Sequence, residues 1–313
     1  MSSAFSVQRS TFSVLFLIIH LSSFIIFSPV AAQPHADAGR RAGTILRQMR
    51  PARAAALGGA VAAADRGIQS VWGNPAALLT IDRREVGLTR IQSFADITAN
   101  MAAFGYRLGD RNVVAVSYAN VDYGSIDGRD LSGRAIGQVE AGDHVAGLSW
   151  AIAPNQHLDL GATGRVFNEQ LGRYAATTFT ADLGARIRPP IRNLTLGGAV
   201  QNLGGSLKFV SESYSLPRTW RAGAEYMTFR NRLLITAEAV KPADDSWEGV
   251  IGLEAEGAEF LVLRAGGIFA KRRSPSFSVG LGVLIRDVTL DYAWIPKHDR
   301  IDDQHRVSLQ VGF

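Results

Sequence analysis

From about Glu85 to the last residue, apolar and polar side chains alternate one for one in short runs, and Gly, Pro, Asn and Asp separate the runs. A period of two belongs to a β-strand, whose successive side chains point to opposite faces. The final run is the cleanest: Val307, Leu309, Val311 and Phe313 point one way, Arg306, Ser308, Gln310 and Gly312 the other. Phe179, Ala181, Leu183, Ala185 and Ile187 alternate in the same way with Thr178, Thr180, Asp182, Gly184 and Arg186. Phe277, Val279, Leu281, Val283 and Ile285 do so against Ser276, Ser278, Gly280, Gly282 and Arg286. Trp220, Ala222, Ala224 and Tyr226 oppose Thr219, Arg221, Gly223 and Glu225, and Val288, Leu290, Tyr292 and Trp294 oppose Asp287, Thr289 and Asp291. The pattern yields about fourteen strands.

A strand with one apolar and one polar face suits a soluble sandwich, where the apolar face meets a second sheet, or an outer-membrane barrel, where it meets lipid. The connections separate the two. Short turns at Gly109 to Asn112, Pro154 to Gln156, Arg188 to Asn193, Arg230-Asn231, Glu256 to Ala258 and Arg286-Asp287 are interleaved with other connections. Three of those are long, Gly124 to Glu140, Gly204 to Leu216 and Pro296 to Gln304, while Phe94 to Ile97 and Lys241 to Ser246 are shorter. Short inner turns and longer outer loops are the habit of outer-membrane barrels. Trp150, Trp220, Trp247, Tyr292 and Trp294 fall near strand ends, where interfacial girdles would place them. The expected fold is all-β, a transmembrane antiparallel β-barrel of about 14 strands over residues 83–313.

The amino terminus differs. Arg9 precedes an apolar run from Val14 to Phe27, and Val30-Ala31-Ala32 offers the small residues a signal peptidase reads. Residues 1–32 read as a signal peptide cleaved after Ala32, which exports the mature chain from Gln33. The apolar stretches are shorter than the roughly 20 residues of a spanning helix. No later segment is long and apolar enough either, so a membrane-embedded mature chain has to be a closed barrel. Residues 33–82 are rich in Ala, Gly and Arg between Thr44 and Asp65, show no alternation, and lead to Trp72-Gly73-Asn74-Pro75-Ala76. A helix is expected within Ile45 to Arg50, ending before Pro51. So small a piece does not easily fold alone, and it is expected to plug the barrel lumen as a hatch.

A net charge of +5 and a pI near 9.7 come from arginines spread along the whole chain, without a basic cluster interleaved with aromatics. That argues against a nucleic-acid reading and favours a mixture of a solvated surface and contacts to anionic lipid headgroups or lipopolysaccharide. With no cysteine in the chain, a disulfide framework, cysteine-ligated metal and a lipid anchor on cysteine are excluded.

On top of this pattern the chain resembles the PorV/PorQ family of outer-membrane proteins, itself similar to the FadL-type barrels that conduct hydrophobic compounds. The resemblance lies in Arg53-Ala54-Ala55-Ala56-Leu57-Gly58-Gly59-Ala60 with Ala64-Asp65, in Asn74-Pro75-Ala76, and in Ala199-Val200-Gln201-Asn202-Leu203-Gly204. It continues at Leu216-Pro217, Val240-Lys241-Pro242, Leu263-Arg264-Ala265-Gly266 and His305-Arg306-Val307-Ser308-Leu309, nearly the whole mature chain. It implies a barrel with a lumen hatch whose turn comprises Trp72, Asn74, Pro75 and Ala76. It also implies that the terminal strand, through Val307, Leu309, Val311 and Phe313, is read by the barrel assembly machinery. Where the family has an acidic pair this chain has Asp65-Arg66, so no role passes to Arg66. Pro75 fixes its own φ and restricts Asn74, which makes the turn stiff.

Chemistry of the catalytic kind is not expected. His35, His144, His157, His298 and His305 lack the spacing of a helical zinc site, and neither a nucleophile elbow nor a phosphate loop is present. Ser149, His157 and Asp159 are not spaced for a site, so no catalytic, metal or cofactor residue is assigned. The inward charges Asp159, Arg165, Asp182, Arg186, Arg221, Glu225 and Asp291 are expected to pair across strands, since singly buried charges are costly.

Two functions remain. The nearer resemblance implies protein export, as a type IX secretion-like shuttle holding secreted cargo by the outer loops 124–140 and 204–216. The alternative is a FadL-like channel that lets hydrophobic small molecules cross the outer membrane when the hatch shifts.

Overall fold

The computed structural model describes residues 41–130, 132–209, 212–271, 273–296 and 302–313. The expected signal peptide and its cleavage after Ala32 lie outside them. Fourteen strands close into an antiparallel barrel in which chain neighbours are hydrogen-bonded neighbours. They are β1 (Arg84–Gln92), β2 (Thr98–Leu108), β3 (Asn112–Asp122), β6 (Ala141–Asn155), β7 (Leu158–Leu171), β8 (Tyr174–Ile187) and β9 (Leu194–Leu203). The circle continues with β12 (Thr219–Thr228), β13 (Leu233–Pro242), β14 (Glu248–Ala258), β15 (Leu261–Ala270), β16 (Arg273–Ile285), β17 (Val288–Ile295) and β18 (Gln304–Gly312). β1 and β18 close it in continuous register from Glu85↔Gly312 to Gln92↔His305.

The remaining strands form two hairpins in the outer connections, β4 (Ile126–Arg129) with β5 (Ala135–Val139), and β10 (Ser206–Phe209) with β11 (Glu212–Ser215). The end of the barrel holding the start of β1 and Phe313, where the turns are mostly short, is taken as the inner end; both hairpins rise at the opposite, outer end.

Alternation places the side chains as its period requires. Phe179 is 72% exposed and Leu148 64%, while Thr178, Asp182 and Arg186 on β8 are buried inside. The exterior is an apolar band broken by aromatics near the strand ends: Trp220, Trp247 and Trp294 toward the outer end, Tyr226, Phe229 and Phe260 toward the inner. Such a surface has no second sheet to cover it and is built for lipid. No helix among the described residues is long and apolar enough to cross a membrane.

The core lies inside the barrel, where residues 42–81 run from the outer mouth to the inner end. Ile45, Leu46, Met49, Ile68, Val71, Trp72 and Leu78 of this segment pack against Met101, Val113, Val145 and Phe167 of the wall. The helix expected within Ile45 to Arg50 is a 3-10 turn over Thr44–Arg47, and the α-helix, α1 (Ala52–Ala56), comes after Pro51 instead. Pro51 stands at its N-cap with φ −58°; proline's fixed φ and missing N–H suit the start of a helix, not only its end. Gly58 and Gly59 follow α1 at φ 72° and 85°, and their N–H groups donate to Ala55 and Ala54 carbonyls. That left-handed exit favours glycine.

Candidate functional site

The inner segment is held by charge, by backbone contact and by one polar turn. Arg53 on α1 donates Nε and Nη2 to both oxygens of Glu254 on β14, at 2.8 and 3.0 Å. Arg264 on β15 shares Glu254 at 2.7 Å and continues to Asp291 on β17 at 2.6 Å. Glu238 on β13 accepts the N–H groups of Val61 and Ala62 at 2.8 Å each and pairs with Arg221. Arg221 in turn donates to the Gly59 carbonyl and to Gln201 at 3.0 Å each. Gln201 also accepts from Arg50 at 3.0 Å and donates to the Gly73 carbonyl at 2.7 Å. Arg165 pairs with Asp182, donates to the Val71 carbonyl, and lies 5.8 Å over the Trp72 ring. Asp159 pairs with Arg188, and Glu225 with Arg186 at 3.5 Å and Arg66 at 3.4 Å. The seven inward charges read from the sequence thus each face an opposite charge, and two of them, Arg165 and Arg221, also hold inner-segment backbone.

Asn74 is fully buried and spans three elements. Its amide donates to the Ala62 carbonyl at 2.5 Å and to Ala185 of β8 at 3.2 Å; its Oδ1 accepts the Ala76 N–H at 3.0 Å. Its own N–H donates to Asp65 at 3.1 Å. Burial pushes the Asp65 carboxyl up to about 6, against the pull of that N–H and of Arg53 and Arg50. Trp72, Pro75 and Ala76 are buried beside it. Inward glycines make room: a Cβ on Gly184 would lie 1.9 Å from Asn74 Oδ1, one on Gly161 2.3 Å from Ala76 N, and one on Gly197 1.9 Å from the Ala62 carbonyl. The wall and the inner segment are in backbone contact there.

Above the segment the outer mouth holds a cavity with two lobes that meet at Gln48, Phe94 and Arg306. One lobe, about 300 Å³, is mixed in character, with Arg50, Arg221, Ser276 and Ser278 beside Val240, Val250, Ile268 and Phe277. The other, about 190 Å³, is mainly apolar, with Ile45, Met49, Ile91, Phe94, Ile97 and Ala99. Arg306 is anchored from below, donating to the Gln48 and Arg50 carbonyls at 2.9 and 2.6 Å. The connection between β9 and β12 roofs the mouth: Leu207 and Leu216 are buried among Ile45, Leu46 and Phe167.

No protein-family model and no curated protein matches the chain. Solved structures do. The Pseudomonas putida toluene transporter TodX superposes with a TM-score of 0.63 at 12% identity, covering 82% of this chain and 96% of its own. The barrel shares the FadL-type fold. The CymD monoaromatic hydrocarbon channel gives 0.63 at 14% identity over 84% and 97% of the two chains. A Pseudomonas aeruginosa FadL homologue gives 0.57 at 12% identity over 90% and 99%.

Of the residues singled out in the sequence, the structure brings Trp72, Asn74, Pro75 and Ala76 together inside the barrel. Val307, Leu309 and Val311 point outward on the closing strand, with Phe313 at the inner rim. Ser149, His157 and Asp159 do not form a constellation: Ser149 hydrogen-bonds Thr163, and Asp159 is taken by Arg188. Among the described residues no group of His, Cys, Asp and Glu could hold a metal ion. Sequence reasoning missed Glu238, Glu254 and Arg264; each is a charge on the small or polar side of an alternating strand, a signal the same rule could have used. It missed the cavity, whose lining comes from both ends of the chain.

Proposed function

We propose that the protein is an outer-membrane channel for small hydrophobic compounds, closed at rest by residues 42–81. The carrying observation is the cavity at the outer mouth, with its apolar lobe seated on the inner segment. The shared fold with proteins described as a toluene transporter and a monoaromatic hydrocarbon channel supports the reading. A lobe of about 190 Å³ accommodates a ring or a short chain rather than a folded domain. Passage then requires the inner segment to shift, because the wall touches it at backbone distance.

The export reading has no observation in its favour. One of the two loops assigned to cargo, 204–216, is partly turned inward, and its Leu207 and Leu216 are spent on the roof of the mouth. The hatch role of the turn at Trp72, Asn74, Pro75 and Ala76 and the assembly role of the terminal strand remain parts of this proposal. Binding of toluene to the purified barrel in detergent tests it. Ala99→Phe, which fills the apolar lobe, should weaken binding at least tenfold, and Thr177→Ala on the exterior should not. Equal affinity in all three proteins would sink the assignment.

A further inference from the structure

We propose that the inner rim of the barrel is a collar for the phosphate headgroups of anionic phospholipids in the leaflet it meets, an inference that rests on the membrane-barrel reading above. Arg84, Arg111, Arg192, Arg230, Arg232 and Arg286 stand exposed there, and none makes an ion pair among the described residues. Asp82, Asp110, Glu256, Glu259 and Asp287 share the rim without pairing with them. No lysine is present on the rim. The planar guanidinium fork matches two oxygens of a phosphodiester, which an ammonium does not.

Two further features point to lipid. Arg230 and Arg286 occupy turn positions at φ 59° and 53°, and Phe229 one at 48°. Glycine or asparagine is the easy choice in that left-handed region, so arginine and phenylalanine are held there against backbone preference. Four of the six arginines also adjoin a large exposed apolar side chain: Ile191 by Arg192, Phe229 by Arg230, Ile285 by Arg286, and Phe313, whose N–H donates to the Arg84 carbonyl at 3.0 Å. An apolar anchor with a guanidinium just beyond it fits acyl chains and phosphate in turn.

The arrangement selects among anionic partners. The arginines belong to the start of β1 and to the β2/β3, β8/β9, β12/β13 and β16/β17 turns, which lie around the whole circumference. A protein partner approaching from one side reaches a fraction of them; a lipid leaflet reaches all.

The test is native mass spectrometry of the whole barrel after incubation with equal phosphatidylglycerol and phosphatidylcholine. The wild type should retain phosphatidylglycerol in preference, on the order of tenfold. The triple variant R192Q/R230Q/R286Q should lose most of that preference, and the outer-loop triple R129Q/R134Q/R173Q should keep it. Retention by the inner triple equal to wild type, or an equal loss in the outer triple, overturns the proposal. Should the inner triple not refold, R286Q alone is measured in the same way, with a partial loss expected and no change overturning it. A barrel that fails to insert into phosphatidylcholine vesicles at all would instead refute the membrane reading.

Discussion

Glu238→Ala should release the middle of the inner segment. Glu238 is buried, accepts two backbone N–H groups from Val61 and Ala62 at 2.8 Å, and balances Arg221. Hydrogen bonds to a charged group are each worth about 1.5–3 kcal/mol, and an orphaned buried partner of an ion pair costs about 3–5 kcal/mol. These overlap because Arg221 keeps its bonds to Gln201 and the Gly59 carbonyl, so the expected loss is about 3–5 kcal/mol for the substitution as a whole. A local opening free energy lowered by about 3 kcal/mol raises the open population roughly a hundredfold. Hydrogen exchange by mass spectrometry, on peptides covering residues 57–65, reads it directly. Glu238→Gln retains one carbonyl acceptor and should show a smaller loss, about 1–2 kcal/mol. Unchanged exchange in Glu238→Ala, with the barrel folded, would refute the claim that this carboxylate holds the segment.

Gly197→Ala drives a Cβ to within 1.9 Å of the Ala62 carbonyl, and overpacking of that kind should cost about 1–3 kcal/mol in urea unfolding of the barrel in micelles. Asn74→Ala removes the amide shared by Ala62 and Ala185 and leaves a buried carbonyl unpaired, about 1–3 kcal/mol, with single-channel conductance events appearing in planar bilayers. Pro75→Gly should act in the same direction with a smaller effect, because a flexible turn adds unfolded-state entropy. Phe313→Ala should lower the yield of folded barrel in cells and leave refolding of the purified chain unchanged; equal yields in cells would remove the assembly role of the terminal strand.

The strands were legible because each carries its own evidence: in β8 the outward Phe179 and Leu183 and the inward Thr178 and Asp182 announce a two-residue period without reference to anything else. The turn from Trp72 to Ala76 was legible as a stiff, non-strand segment expected in the lumen, but without the partners that hold it. What stayed hidden is whatever closure of the barrel decides. The bond of Arg53 to Glu254 and of Arg306 to the Arg50 carbonyl joins residues about 200 or more positions apart, and no local pattern fixes such partners. Gly161, Gly184 and Gly197 read as weak points in strands until the inner segment is laid against them. Pro51 was ambiguous for a local reason: proline both stops a helix before it and starts one after it. The hairpins Ile126–Arg129 with Ala135–Val139 and Ser206–Phe209 with Glu212–Ser215 were hidden by their length, since four or five residues scarcely show a period.

The most direct test is uptake of radiolabelled toluene by cells whose own hydrophobic-compound channels have been deleted and which express this chain. The account predicts uptake faster than in cells without the chain, slowed by Ala99→Phe and hastened by Glu238→Ala. Uptake at the background rate in all three, with the barrel folded in the outer membrane, would contradict it.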